Sequence, residues 1–182
     1  MASEKLNILD LGCGRRKRSG AIGIDSNPRS DADVFHDLNQ FPYPFSDGKF
    51  DEVYADNILE HLDDVIKVMT ELHRITKSNG TIFVTVPFYP HRNANTDPTH
   101  KHWFGVHSFD YFVEGTDHGE FRYTATHFKL KSVEFDKGLM KNHWFDRIMV
   151  QFANRRKDFY EHRFANIFPL AQLTFELNVV KE

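Results

Sequence analysis

The stretch "LNILDLGCGRRKRSGAIGID", residues 6 to 25, limits this chain's fold more than any other. Its two apolar runs, Leu6–Leu11 and Ala21–Asp25, read as short buried strands bounded by glycine. Only nine residues, 12 to 20, join them. That is below the ten or twelve that a helical crossover usually needs, so the first crossover helix is shortened to a single turn or missing. Gly12 and Gly14 flank Cys13 directly after the first run. A backbone without side-chain bulk at that point can come close to a ligand at the C-terminal edge of a parallel sheet.

The rest of the chain supplies a sheet for this turn to belong to. Asp33–His36, Phe50–Ala55, Thr81–Pro87, His127–Phe135 and Leu173–Val180 read as further strands, making seven in all. Asp63 or Asp64 can cap a helix carrying Val65, Met69, Leu72 and Ile75 at helical spacing, with Lys77 at its C-terminal end and Asn79-Gly80 stopping it. Trp144 to about Phe164 carries apolar residues at roughly helical intervals. Strands that are mostly apolar without strict alternation argue for a parallel α/β sheet, with the last two strands at one end. The chain's 182 residues suit one domain, 1–182, with a cofactor-binding half over 1–90 and an acceptor or lid half over 91–182.

Two phosphate-binding motifs fail on inspection. A dinucleotide fingerprint needs a third glycine where Lys17 stands, and an acid about 20 positions on, whereas Asp25 comes 13 after Gly12. A nicotinamide oxidoreductase is thereby disfavoured. A Walker loop would need four residues between its glycines and then Lys-Ser/Thr, which is absent.

"LDLGCG", the acidic strand end "IGID", "HDL", "FDEVYADNILEHL" and "LHRITKSNGTIFVTVP" occur in an order that resembles the class I (Rossmann-like) S-adenosylmethionine-dependent methyltransferases. The likeness covers residues 6 to about 90 and is closest to the compact bacterial and archaeal type. It implies a mostly parallel, seven-stranded, doubly wound α/β sheet with a shortened first crossover, and S-adenosyl-L-methionine as cofactor. It places Asp10, Gly12, Cys13 and Gly14 on the methionine and ribose side and Asp25, followed by Ser26, on the ribose hydroxyls. Asp37 and Leu38 would border the adenine, with Asp56 and Asn57 under the sulfonium. A carboxylate at the end of strand two can accept hydrogen bonds from both ribose hydroxyls.

Arg15, Arg16, Lys17 and Arg18 then fall in a short exposed loop near the cofactor's methionine end. They read as a solvated cationic turn, as a patch for an anionic substrate or the cofactor carboxylate, or as an RNA contact. A net charge of −3 gives no general drive toward nucleic acid. Family members often carry lid helices ahead of strand one, where this chain has about five residues. The acceptor pocket is therefore expected from 88–126 and the C-terminal helix.

Methyl transfer to oxygen or nitrogen is an in-line displacement helped by positioning and by a base. His61, His100 and His102 are the candidate bases, with aromatic residues of 88–126 available to face a sulfonium. His100 and His102 with Glu60, Asp97 or Asp110 offer metal-ligand types, but without a fixed spacing to a third ligand no metal is assigned. Cys13, the single cysteine, reads as a packing residue and excludes an internal disulfide. The basic aromatic stretch 141–163 (Lys141, Arg147, Arg155, Trp144, Phe152 among others) reads as a sheet-covering helix rather than a membrane-surface helix, with a homodimer contact also open.

The expected activity is methyl transfer to an O or N acceptor, more readily a small molecule than a macromolecule, in a cytoplasmic protein. The alternative is a non-catalytic cofactor-binding protein, or a basic-loop RNA-binding protein, on the same fold.

Overall fold

In a computed structural model describing residues 6–121, 123–135 and 144–181, the seven strands form one sheet in the order β3-β2-β1-β4-β5-β7-β6. They are β1 (Ile8–Leu11), β2 (Ile22–Asp25), β3 (Val34–Phe35), β4 (Phe50–Asp56), β5 (Thr76–Pro87), β6 (His127–Phe135) and β7 (Gln172–Val180). Only β7 runs antiparallel to its neighbours. β6 and β7 close one end, as their place in the sequence suggests.

Helices α1 (Val65–Ile75), α2 (Arg92–Thr96), α3 (Trp144–Arg155) and α4 (Lys157–Arg163) connect them. Asp64 caps α1 by accepting the Lys67 N–H. The helix ends at Ile75, short of Lys77, whose amine reaches Asp51 at 2.7 Å instead. Strand β5 begins at once, at Thr76, and irregular pairing across 77–80 marks the Asn79-Gly80 break. The periodicity over 144–164 is two helices rather than one, broken at Arg156. Lys141 lies outside the described residues.

Of the described helices, α1, α3 and α4 pack over one face of this α/β sheet. Leu9, Val53, Ile82 and Phe175 share a single apolar core with Val68 and Leu72 of α1, Val150 of α3 and Tyr160 of α4. The alternate strand residues form the other face, where Tyr54 pairs in register with Phe83, and Phe83 with Glu176. Glu52, Thr81, Thr85, Thr174 and Asn178 lie on that face too, half-buried and outside the core. The cause is connection length. Residues 12–21, 26–33 and 36–49 hold turns and no helix, so no helix from these connections lies along the second face. A parallel sheet is usually covered on both sides; this one has polar side chains on its open face, several of which bond one another, while Asn178 Oδ1 has no partner. Thr85 and Thr174 hydroxyls lie 3.2 Å apart, and the Asn178 amide donates to Thr81 Oγ1 at 3.2 Å.

Candidate active site

The glycine turn opens at the C-terminal end of β1. Gly12 takes φ +67°, and its N–H donates to the Ile24 carbonyl at 2.8 Å. A Cβ on Gly12 would stand 2.5 Å from Ile58 Cγ1, so the glycine lets the chain leaving β4 press against the turn. Gly14 donates its N–H to Asp25 Oδ2 at 2.9 Å, while Asn27 donates to Asp25 Oδ1 at 2.7 Å. The Asp25 carboxylate therefore faces the turn from the end of β2.

The cationic run straps the turn to the open sheet face. Lys17 bonds both carboxylate oxygens of Asp33 at 2.8 Å, and its stem lies over Gly23, where a Cβ would meet Lys17 Cδ at 2.6 Å. Arg18 donates its backbone N–H to Asp10 Oδ2 at 2.7 Å. Its guanidinium lies 3.6 Å over the Tyr54 ring and 3.2 Å from Asp56 Oδ2. Tyr54 in turn stacks on Phe83 at 4.7 Å. Two of the four cations are thus committed inside the protein, while Arg15 and Arg16 stay exposed.

A pocket of about 600 Å³ sits at this rim. Asp10, Gly12, Cys13, Gly14, Asp56 and Asn57 line it, together with Arg15, Arg16 and Arg18. Burial raises the Asp10 carboxyl above the usual carboxylate range, and Asp56 adds to the effect. Burial, then Asp10, pushes the Cys13 thiol up to about 11, which keeps it protonated and inert. Asn57 holds a left-handed backbone (φ 52°), and its side-chain oxygen accepts from Gln172 at 2.6 Å.

Asp25, Ser26, Asp37 and Leu38 stand outside the pocket lining. Asp37 is exposed, but the Leu38 side chain is in the core, leaving only its backbone for a ligand. Asn39, next in the chain, accepts the Asp63 N–H at 2.8 Å and so ties this turn to the start of α1.

Of the three histidines singled out as bases, the structure brings two together. His61 ends a short 3-10 turn, Leu59–His61, directly beyond β4, and its ring meets that of His100 edge-on with centroids 4.6 Å apart. His61 Nδ1 contacts Thr99 Oγ1 at 2.9 Å, and His100 Nδ1 contacts the Ala94 carbonyl at 3.0 Å. His102 turns away, its Nε2 bound to the Leu62 carbonyl at 2.8 Å. Glu60 lies beside the pair, fully buried, and its carboxylate oxygens have no hydrogen-bond partner. Burial pushes its carboxyl up to about 7. Burial also lowers the His61 ring, and neighbouring His100 lowers it further, favouring the neutral imidazole.

Sequence reading places Arg18 in the cationic loop but does not show its contact with Asp56, and it does not single out Ile58 or Thr99; these contacts join residues at least 38 positions apart. A second pocket, about 550 Å³ and walled by Tyr111 and Tyr123, lies beside His127 at the start of β6. It belongs to the opposite edge of the sheet from Asp10 and Asp56.

Compared with known proteins, residues 9–84 match the sequence family described as "Methyltransferase domain". No curated protein matches the chain. Among solved structures it is similar to a SAM-dependent methyltransferase from Archaeoglobus fulgidus, at TM-score 0.62 and 17% identity over 96% of this chain and 86% of that one. It is similar to a Haloferax volcanii complex of the Trm112 methyltransferase activator with a methyltransferase, at TM-score 0.60 and 17% identity over 99% and 84%. It also overlays half of phosphoethanolamine N-methyltransferase 2 from Haemonchus contortus, solved with S-adenosyl-L-methionine, at TM-score 0.61 and 14% identity over 100% of this chain and 50% of that one. At these identities the overlays establish the fold.

Proposed function

We propose, for a chain that has the class I methyltransferase fold and matches the methyltransferase-domain family over residues 9–84, that it binds S-adenosyl-L-methionine and transfers the methyl group to an oxygen or nitrogen acceptor. The observation that carries this reading is the Asp25 carboxylate facing Gly14 across a bare glycine turn at the C-terminal rim of β1 and β2. Two backbone N–H groups occupy part of the carboxylate's accepting capacity, and lone pairs remain for two vicinal hydroxyls. Open space above Gly14 leaves room for a ribose against the backbone.

Asp10 and Asp56 set two acids in the pocket floor for an ammonium, and Arg15 and Arg16 stand on its wall for a carboxylate. Those are the two charges of an amino-acid moiety. Asp37 and the Leu38 backbone border the adenine, with Ser26 beside the ribose. The sulfonium, when bound, supplies the electrophilic methyl. The chain's own part is to hold an acceptor in line with it and to take a proton. His61 and His100, which lie outside the pocket lining, have their Nδ1 atoms engaged, so each keeps Nε2 as a lone pair for an acceptor's proton. His102, whose Nε2 is spent on Leu62, is a positioning residue at most.

Equilibrium binding of S-adenosylmethionine to the intact chain tests the reading, followed by transfer of labelled methyl to a panel of hydroxyl- and amine-bearing small molecules. A second reading, cofactor binding without turnover or RNA contact through the basic loop, draws on the open sheet face and on exposed Arg15 and Arg16. With Lys17 and Arg18 already paired, only two cations of the run are free for phosphates. Nucleic-acid binding that weakens steeply with salt would favour it.

A further inference from the structure

Glu60 presents a physical problem. It is 1% exposed, and neither carboxylate oxygen has a hydrogen-bond partner. A buried polar group left unpaired costs folding free energy, and a buried carboxylate more, so such groups are usually paired or coordinate metals. His61 and His100 supply the missing partners' chemistry. One donor atom from each of Glu60, His61 and His100 lies within 4.8 Å of the others.

The hydrogen bonds fix what each ring offers. The Ala94 carbonyl only accepts, so His100 Nδ1 carries the proton. Thr99 Oγ1 spends its one proton on Asp97 Oδ1 at 2.7 Å, so it accepts from His61 Nδ1 at 2.9 Å. Both rings are therefore held in the tautomer whose Nε2 is a lone pair, each oriented through Nδ1 by an oxygen. Metal-binding histidines are held in this way.

We propose that Glu60, His61 and His100 form a three-ligand site for a divalent first-row transition ion of the zinc class. Two imidazoles and one carboxylate suit zinc or ferrous iron and leave coordination open for water or a ligand oxygen. An ion about 2.0–2.2 Å from each donor would draw the three to about 3.4 Å from one another. Lys101, whose N–H donates to the Glu60 carbonyl at 2.7 Å and whose amine pairs with Asp63, pins the 97–102 segment over the turn that carries Glu60 and His61. The site does not depend on the cofactor assignment. Loaded, it makes His61 and His100 ligands, and the ion takes over from a base in lowering the acceptor's pKa.

The test is direct titration of the chelator-stripped full chain with Zn²⁺ by calorimetry, and with Co²⁺ as an absorbing probe. The expected result is one equivalent with ligand-field bands of low-symmetry N/O coordination. Glu60→Gln, close in shape and uncharged, should abolish that equivalent while keeping the circular dichroism of the parent. Thr99→Val should weaken it roughly 10–100-fold by freeing the His61 ring. His162→Ala, on the exposed side of α4, should leave it unchanged. Absence of a stoichiometric equivalent, or one indifferent to both Glu60→Gln and His100→Ala, would overturn the proposal and leave His61 as a base. S-adenosylmethionine binding, measured separately, reports on the cofactor reading alone.

Discussion

The guanidinium of Arg18 lies 3.6 Å over the ring of Tyr54 and pairs with Asp56 two residues further along β4. One cation thus covers the bare sheet face and orders an acid in the pocket floor. Arg18 is 41% exposed at the side chain, so the pair adds little stability. Arg18→Met should therefore cost about 1 kcal/mol or less in urea unfolding. Freed of its cation, Asp56 should bind S-adenosylmethionine about tenfold more weakly, a loss of about 1.4 kcal/mol. A large drop in stability with unchanged affinity would assign Arg18 to the fold instead.

Gly12→Ala should be severe. The residue sits at φ +67°, and the added Cβ would meet Ile58 Cγ1 at 2.5 Å. The backbone strain alone is about 1–2 kcal/mol, with overpacking adding about 1–3 kcal/mol. In a double-mutant cycle, Ile58→Ala should recover the packing share and leave the strain, giving a coupling energy of about 1 kcal/mol or more. Strict additivity would contradict the contact.

How far the sequence discloses this fold depends on which contacts are local. "TIFVTVP" and "QLTFELNVV" alternate apolar with polar or half-buried residues. That period of two marks strands with one face toward water, although a parallel α/β reading expects both faces covered. The short stretch between Leu11 and Ala21 carries the same message, since nine residues leave no helix for the second face. The glycine turn and Asp25 are readable because Gly14 and Asp25 lie only 11 positions apart. The pairing of His61 with His100 is not, because it depends on how 88–104 folds back over the rim through the Phe88–Phe104 bridge. His100 and His102 look alike in sequence and differ in which ring nitrogen meets a carbonyl, Nδ1 on Ala94 in one and Nε2 on Leu62 in the other.

Arg74 substitutes for a crossover helix. It donates to the Tyr43 carbonyl at 3.1 Å, to the Phe45 carbonyl at 2.9 Å and to Glu71 at 2.6 Å, holding the 41–47 loop against α1. Glu71 is 7% exposed and also accepts the Tyr43 N–H at 2.6 Å. Arg74→Ala leaves that carboxylate buried without its cation, which should cost about 3–5 kcal/mol. Amide exchange should quicken over 41–48 ahead of the β4 and β5 core.

His107 gives stability a pH dependence. Burial disfavours its charged ring, but hydrogen bonds to Asp110 at 2.6 Å and Asp158 at 2.9 Å outweigh that and raise its pKa above 6.5; His118 stands 4.0 Å from Asp110 as a further titrating neighbour. A raised folded-state value means that the contribution is fully present below the unfolded value of 6.5 and fades as pH rises through the folded one. Thermal unfolding of the parent and of His107→Gln should therefore differ more at pH 6 than at pH 8. An equal difference at both would remove the charge from the explanation.

Calorimetric titration of the folded, intact chain with S-adenosylmethionine, beside Asp25→Ala, bears most directly on the central claim. One equivalent bound by the parent, weakened at least about tenfold, or 1.4 kcal/mol, in the variant is the predicted result. A folded parent that takes up no S-adenosylmethionine, or a variant that binds it as tightly, would contradict the grip of Asp25 and the glycine turn on an adenosyl group.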